Sequence, residues 1–140
     1  MFINSAKGKV LIVDDEPLVL EIIKTALKKS GFDITASSTA MEAISHIKKT
    51  SFDVIISDVR LDEMTGYEIL NFAKNKNPLT NGILITGAPN DEDRTRAEEL
   101  SAQYFIKPIS LEKISKAVEG YFQVNCSIDL NISYSNVNLT

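Results

Sequence analysis

The chain has 140 residues, 44% of them hydrophobic and 24% charged, which is the composition of one ordinary globular domain and excludes a chain that is mainly disordered. Nineteen acids against fifteen bases give a net charge of -4, the wrong sign for a protein that grips nucleic-acid phosphates by counterion release, so any nucleic-acid role is expected to be indirect. A single cysteine, Cys126, and a single histidine, His46, exclude an internal disulfide and a thiolate or imidazole zinc site.

From residue 9 to about residue 122, short apolar runs alternate with helical patterns. Val10 to Val13 is an aliphatic run stopped by Asp14 and Asp15, too short for a buried helix and suited to a buried parallel strand. Pro17 then stands in a first turn behind acidic residues able to cap it, and Val19, Ile22, Ile23, Ala26 and Leu27 share one face of a helix that Gly31 stops. Ile34 to Ser37 reads as a weaker strand. Thr39 with Glu42 reads as a capping box for a second helix whose stripe is Ala40, Ala43, Ile44 and Ile47. Val54 to Ile56 make a third strand that ends at Asp58. A polar loop through Asp62, Glu63 and Gly66 follows, then a third helix with Ile69, Leu70 and Ala73, closed by Asn77 and Pro78. Ile83 to Ile85 lead to Thr86. Asp91 is expected to cap a fourth helix in which only Ala97 and Leu100 keep an apolar register, making it the least firmly packed. Tyr104 to Ile106 make the last strand, ending at Lys107 and Pro108, and Ser110 caps a fifth helix with Leu111, Ile114, Ala117, Val118 and Tyr121 inward.

Five β-α units without hairpin turns predict a doubly wound α/β domain over residues 1–122, its parallel sheet covered on both faces. The remaining residues, 123–140, differ. Val124, Cys126, Ile128, Leu130, Ile132 and Tyr134 alternate with polar residues, which predicts either an extended amphipathic strand that pairs with a second subunit or adds to a partner's sheet edge, or else a frayed terminus or the first strand of a removed domain. The opening MFINSAKGK lacks the apolar stretch of a signal peptide, and no run approaches the ~18 residues of a membrane span, so a cytoplasmic setting is expected.

In an open α/β sheet, ligands bind beyond the carboxyl ends of the strands. Asp14, Asp15, Asp58, Thr86 and Lys107 all stand there. Each alone has an ordinary explanation as a helix cap or strand end. Gathered together they do not, because two carboxylates ~4 Å apart repel by about 4 kcal/mol at an effective dielectric of about 20. Three such groups call for a cation, and all-oxygen ligation favours Mg²⁺. Gly82 and Gly87 have the glycine spacing of a Walker loop, but Ala88 and Pro89 stand where its Lys and Ser/Thr belong. The acidic loop after the first strand is equally unsuited to a bare phosphate or a flavodoxin-type cofactor.

The segments VLIVDDEP, VIISDVRLDEMTGYEIL, ILITGAP and YFIKPI, in that order and spacing, resemble the receiver domain of two-component response regulators, of the chemotaxis-regulator type, over residues 8 to about 122. The resemblance implies a flavodoxin-like strand order 2-1-3-4-5 and a phosphoacceptor role for Asp58. It also implies Mg²⁺ held by Asp15, Asp58 and the Arg60 backbone carbonyl, with Asp14 positioning a metal-bound water. Lys107 would pair with Asp58 and then with phosphoryl oxygens, Thr86 would donate its hydroxyl to one of them, and Tyr104 matches the aromatic that turns inward afterwards. The Lys107–Pro108 peptide is usually cis in that family. The implied protein is a phosphoacceptor with phosphotransfer and autodephosphorylation activity only. Its partners are a histidine kinase or histidine phosphotransfer protein and a downstream protein target reached through the surface of helix 4, strand 5 and helix 5, where a homodimer could also form. A receiver fragment of a hybrid kinase or transcription regulator, and a receiver-like module that is never phosphorylated, are the alternatives. Asp62 stands where the family often has proline, and Arg60, two residues past the acceptor, is expected either to lie over the phosphoryl group or to point to solvent. His46 reads as a surface residue; Met64, Phe32 and Phe52 read as packing residues.

Overall fold

The computed structural model describes residues 7–122. Strands β1 (Lys9–Val13), β2 (Asp33–Ser37), β3 (Val54–Asp58), β4 (Asn81–Thr86) and β5 (Gln103–Ile106) form one sheet in the order β2-β1-β3-β4-β5, with every neighbouring pair parallel. Helices α1 (Pro17–Lys29), α2 (Ala40–Lys49), α3 (Gly66–Lys76), α4 (Asp91–Glu99) and α5 (111–122) connect and flank them. This is the doubly wound sheet that the alternation of elements predicts, in the flavodoxin-like strand order that the receiver-domain resemblance implies. The tail from 123 on, with its expected strand and pairing, lies outside the described residues.

Strand side chains alternate between two cores, which is why the central strands read as unbroken apolar runs. Val10, Ile12, Val54, Ile56, Ile83 and Ile85 face α1 and α5, against Ile23, Leu27, Ile114 and Val118. Leu11, Val13, Ile55 and Leu84 face the other way, against Ala43 and Ile47 of α2, Ile69 and Leu70 of α3 and Ala97 of α4. Phe32 and Phe52 are buried and Met64 packs against the second core, as their apolar character predicts.

Several local expectations need correction. Ile22 is 50% exposed and Leu111 36% exposed, because the space between α1 and α5 opens outward as a groove and is not filled. Asn90, not Asp91, caps α4: its side chain accepts from the Asp93 N–H at 2.7 Å, and Asp91 is already the first helical residue. No acidic side chain caps α1, which relies on Pro17 at its start. His46 is half-buried in the last turn of α2. The Thr39 hydroxyl accepts from Glu42 N–H, but the Glu42 carboxylate reaches back to Ser38 N–H, so that box is not closed. The reciprocal box belongs to α3, where Glu68 N–H donates to Thr65 Oγ1 at 3.2 Å and Thr65 N–H donates to Glu68 Oε1 at 2.8 Å. Thr65→Ala is therefore expected to cost about 1 kcal/mol, read as a lower urea midpoint at unchanged slope.

Candidate functional site

The chain order of the sheet reverses at β1, whose neighbours β2 and β3 leave in opposite directions, and the site lies at the carboxyl ends of β1, β3, β4 and β5. Asp14 directly follows β1 and is 4% exposed, with its N–H on the Ser37 carbonyl and its Oδ1 accepting from Glu16 N–H at 2.8 Å. Asp15 next to it is exposed. Asp58 closes β3 and is 8% exposed. Carboxylate oxygens of Asp14, Asp15 and Asp58 lie within 4.8 Å of one another. An all-oxygen set of this charge fits a hard divalent cation and no softer metal.

One ammonium answers these charges. Lys107 Nζ stands 2.9 Å from Asp58 Oδ1 and 3.5 Å from Glu16 Oε1. The lysine is anchored through its backbone, its N–H donating to the Thr86 carbonyl at 2.7 Å, and the following Lys107–Pro108 peptide is cis. Burial pushes the Asp58 carboxyl up to about 6; the Lys107 hydrogen bond pulls it back and the Asp14 charge adds to the rise. Asp14 is raised as well, first by burial, with the Glu16 N–H and the Lys107 charge opposing. Burial alone would lower the Lys107 pKa, but its bond to Asp58 and the charges of Asp58, Asp14 and Glu16 raise it overall.

The loop that carries Asp58 forward is held tightly. Val59 N–H donates to the Ile85 carbonyl, Gly66 N–H to the Val59 carbonyl, and Ser57 Oγ to the Asp58 carbonyl at 2.8 Å. Arg60 and Thr65 bridge across the loop. A Cβ on Gly66 would stand 2.3 Å from the Asp58 carbonyl oxygen, so α3 can begin this close to the acidic strand end only with glycine there.

Two residues expected near the site have other partners. The Thr86 hydroxyl is buried and accepts from Ala88 N–H at 3.1 Å. The Arg60 side chain, half exposed, is paired: its Nη2 is 2.6 Å from Oδ2 of Asp93, a carboxylate 1% exposed in the first turn of α4. A buried carboxylate needs a cation and this guanidinium is within reach; the expected place of Arg60 over a phosphoryl group concerns the phosphorylated protein. Asp93 was not singled out from the sequence; an acid in a first helical turn reads as an ordinary response to the helix dipole. Tyr104 packs against the second core with its hydroxyl buried and without a hydrogen-bond partner among the described residues, and the Arg94 guanidinium carbon lies 5.0 Å from its ring centroid.

Two buried acids, an exposed third and a lysine at the mouth of a 2-1-3-4-5 parallel sheet form an acidic, all-oxygen site able to hold a metal ion. The response regulator receiver domain family model matches residues 10–119, and the chain belongs to that family. TcrX of Mycobacterium tuberculosis, described as a probable transcriptional regulatory protein, is 33% identical over 106 residues, covering 75% of this chain and 45% of its own length. The transcriptional regulatory protein TrcR of the same organism is 32% identical over 80% of this chain and 44% of its own. The chain thus spans less than half the length of these relatives. A CheY-like receiver domain protein from Methanospirillum hungatei superposes with a TM-score of 0.80 at 26% identity, covering 85% of this chain and 95% of that one.

Proposed function

We propose that this protein is a phosphorylation-driven signalling switch in which Asp58 accepts a phosphoryl group from a histidine kinase or a histidine phosphotransfer protein. The observation that carries this reading is the gathering of three carboxylates at the mouth of the sheet, with the Lys107 ammonium on Asp58, an arrangement that stores repulsion unless a cation uses it. With a pKa near 6, Asp58 is mostly ionised at pH 7 and needs no general base. One of its oxygens forms the new bond to phosphorus while the bond from phosphorus to the donor's nitrogen or oxygen breaks, the electron pair leaving with the donor. Lys107 neutralises charge on the transferring group and stays bonded to it afterwards. Asp14, Asp15, Asp58 and the Arg60 carbonyl are the groups that would hold Mg²⁺, which supplies charge neutralisation and alignment of the donor's oxygens. Autodephosphorylation is a separate attack by water on phosphorus: a new phosphorus–oxygen bond forms to the water, the bond to the Asp58 oxygen breaks with its electron pair returning to the carboxylate, and inorganic phosphate leaves.

Thr86 is the hydroxyl best placed to turn from Ala88 N–H toward a new phosphoryl oxygen, and Tyr104 is the aromatic neighbour on β5 that its movement would affect. The exposed groove between α1 and α5, lined by Ile22, Pro108, Ile109 and Leu111, runs into Asp14, Glu16 and Lys107. A protein donor must bring its phosphohistidine to that same opening, so the groove supports a helical apolar partner surface. Output belongs to the face of α4, β5 and α5, where Ile106 is 46% exposed beside Lys113 and Lys116, and its target is a protein. Among the described residues no helix is long and apolar enough to cross a membrane, and we place the switch in the cytoplasm on the strength of its family.

The test is intact-mass measurement after incubation with acetyl phosphate. One phosphoryl addition with Mg²⁺ and none with EDTA is expected; equal labelling in both conditions would remove the metal from the scheme, and no labelling in either would remove the acceptor.

A further inference from the structure

Among the helices α4 has the least apolar attachment, since only Asp93 and Ala97 of its nine residues are buried and only Ala97 is apolar. Arginines hold it instead. Arg94 lies over the Tyr104 ring at 5.0 Å, Arg96 over the Tyr67 ring at 4.9 Å, and Arg60 reaches from the acidic loop to Asp93 at 2.6 Å. The last contact differs in kind, because the Asp93 carboxylate is 1% exposed and Arg60 is its only cation partner among the described residues. A buried carboxylate stripped of its partner is strongly unfavourable, whereas the Arg60 side chain is 52% exposed, so water can take over the guanidinium when it leaves Asp93.

We propose that the Arg60–Asp93 pair is a positioning device that carries charge at Asp58 to α4. Arg60 lies two residues beyond Asp58 on the same loop. A phosphoryl group on Asp58 adds negative charge beside it and competes with Asp93 for the guanidinium. As Arg60 turns toward the new anion, Asp93 is left buried without a cation, and the helix that carries it leaves its seat. This route runs through the acidic loop and is separate from the path through Thr86 and Tyr104. It rests on the phosphoacceptor reading of Asp58.

Hydrogen exchange of amides 91–99 in the full chain, with and without acetyl phosphate and Mg²⁺, tests it, with phosphoryl uptake followed by mass in every variant. Exchange in the parent is expected to quicken about tenfold or more on phosphorylation, and Arg60→Ala to quicken it by a similar factor without phosphorylation. Asp93→Asn keeps the side-chain shape and removes the charge that needs a partner, so its α4 amides stay near the slow parental rate and respond less than about twofold to phosphorylation. The double variant follows Asp93→Asn and not Arg60→Ala, since a neutral amide is not stranded by loss of the guanidinium. A labelled parent whose α4 response is absent, or survives undiminished in Asp93→Asn, overturns the inference alone; so does Arg60→Ala with parental exchange. A parent that takes up no phosphoryl group overturns the underlying reading, and the inference with it.

Discussion

Asp58→Asn is expected to take up no phosphoryl group and yet to be more stable than the parent in metal-free buffer at pH 7. The loss of uptake is complete because an amide has no anionic oxygen to attack phosphorus. The gain in stability comes from the carboxyl that folding raises from 3.8 to about 6. Folding binds this proton more tightly than the unfolded chain does. The favourable contribution of the group is therefore fully present below about pH 4 and disappears as pH climbs to about 6, above which the ionised carboxylate opposes folding. Two pH units correspond to at most about 3 kcal/mol, and solvent reaching the site brings the expected gain nearer 1–2 kcal/mol. The Lys107 ion pair lost in the variant offsets little, since Lys107 keeps Glu16 at 3.5 Å. Urea melts of both chains between pH 4 and 7.5 should diverge across this window. Parallel curves, or a variant less stable at pH 7, would mean that burial at this site does not disfavour the ionised Asp58 carboxylate. Mg²⁺ should narrow the gap by stabilising the parent more than the variant, whose ligand set has lost a charge.

The same burial of charge explains which parts of the site were legible in the sequence. A parallel strand buried on both faces must be apolar until it leaves the sheet, so the first polar residue after VLIV, VIIS or ILI marks the sheet edge without any structure. Asp14, Asp58 and Thr86 were visible for that reason and Lys107 as the first charge after the apolar end of edge strand β5, and the parallel crossovers then force them to one end. Ile22 and Leu111 were misread because a helical stripe reports which face is apolar, not whether its neighbour fills the space; here the facing α1 and α5 leave a groove. Asn90 and Asp91 are adjacent and both cap well, so a choice between them depends on the φ, ψ of one residue. The Arg60–Asp93 pair joins residues 33 positions apart on a loop and a polar helix, and leaves no periodic mark. Only the weak apolar stripe of α4 hinted that something other than packing holds it.

Gly66→Ala should be the most damaging of the small substitutions near the site, with a loss of about 2–3 kcal/mol and a marked fall in the rate of phosphoryl uptake. In an ordinary first helical turn the change would be neutral or favourable, because alanine suits a helix better than glycine by up to about 1 kcal/mol. Here the new methyl would stand 2.3 Å from the Asp58 carbonyl oxygen and 2.8 Å from Ser57 Oγ. The first of these is backbone and cannot rotate away. Relief requires α3 to retreat or the acidic loop to shift, and either movement strains the Gly66 N–H to Val59 carbonyl bond and the Ser57 hydroxyl to Asp58 carbonyl bond. Both bonds fix the strand end from which Asp58 faces Asp14 and Lys107, so stability and chemistry should fall together. Gly120 supplies the control, since among the described residues nothing lies within 4 Å of a Cβ built there and it sits inside α5. Gly120→Ala is expected to gain up to about 1 kcal/mol with uptake unchanged. If urea midpoints of the two variants move together, or Gly66→Ala labels at the parental rate, then the close approach of α3 to the Asp58 carbonyl is not what holds the acceptor in position.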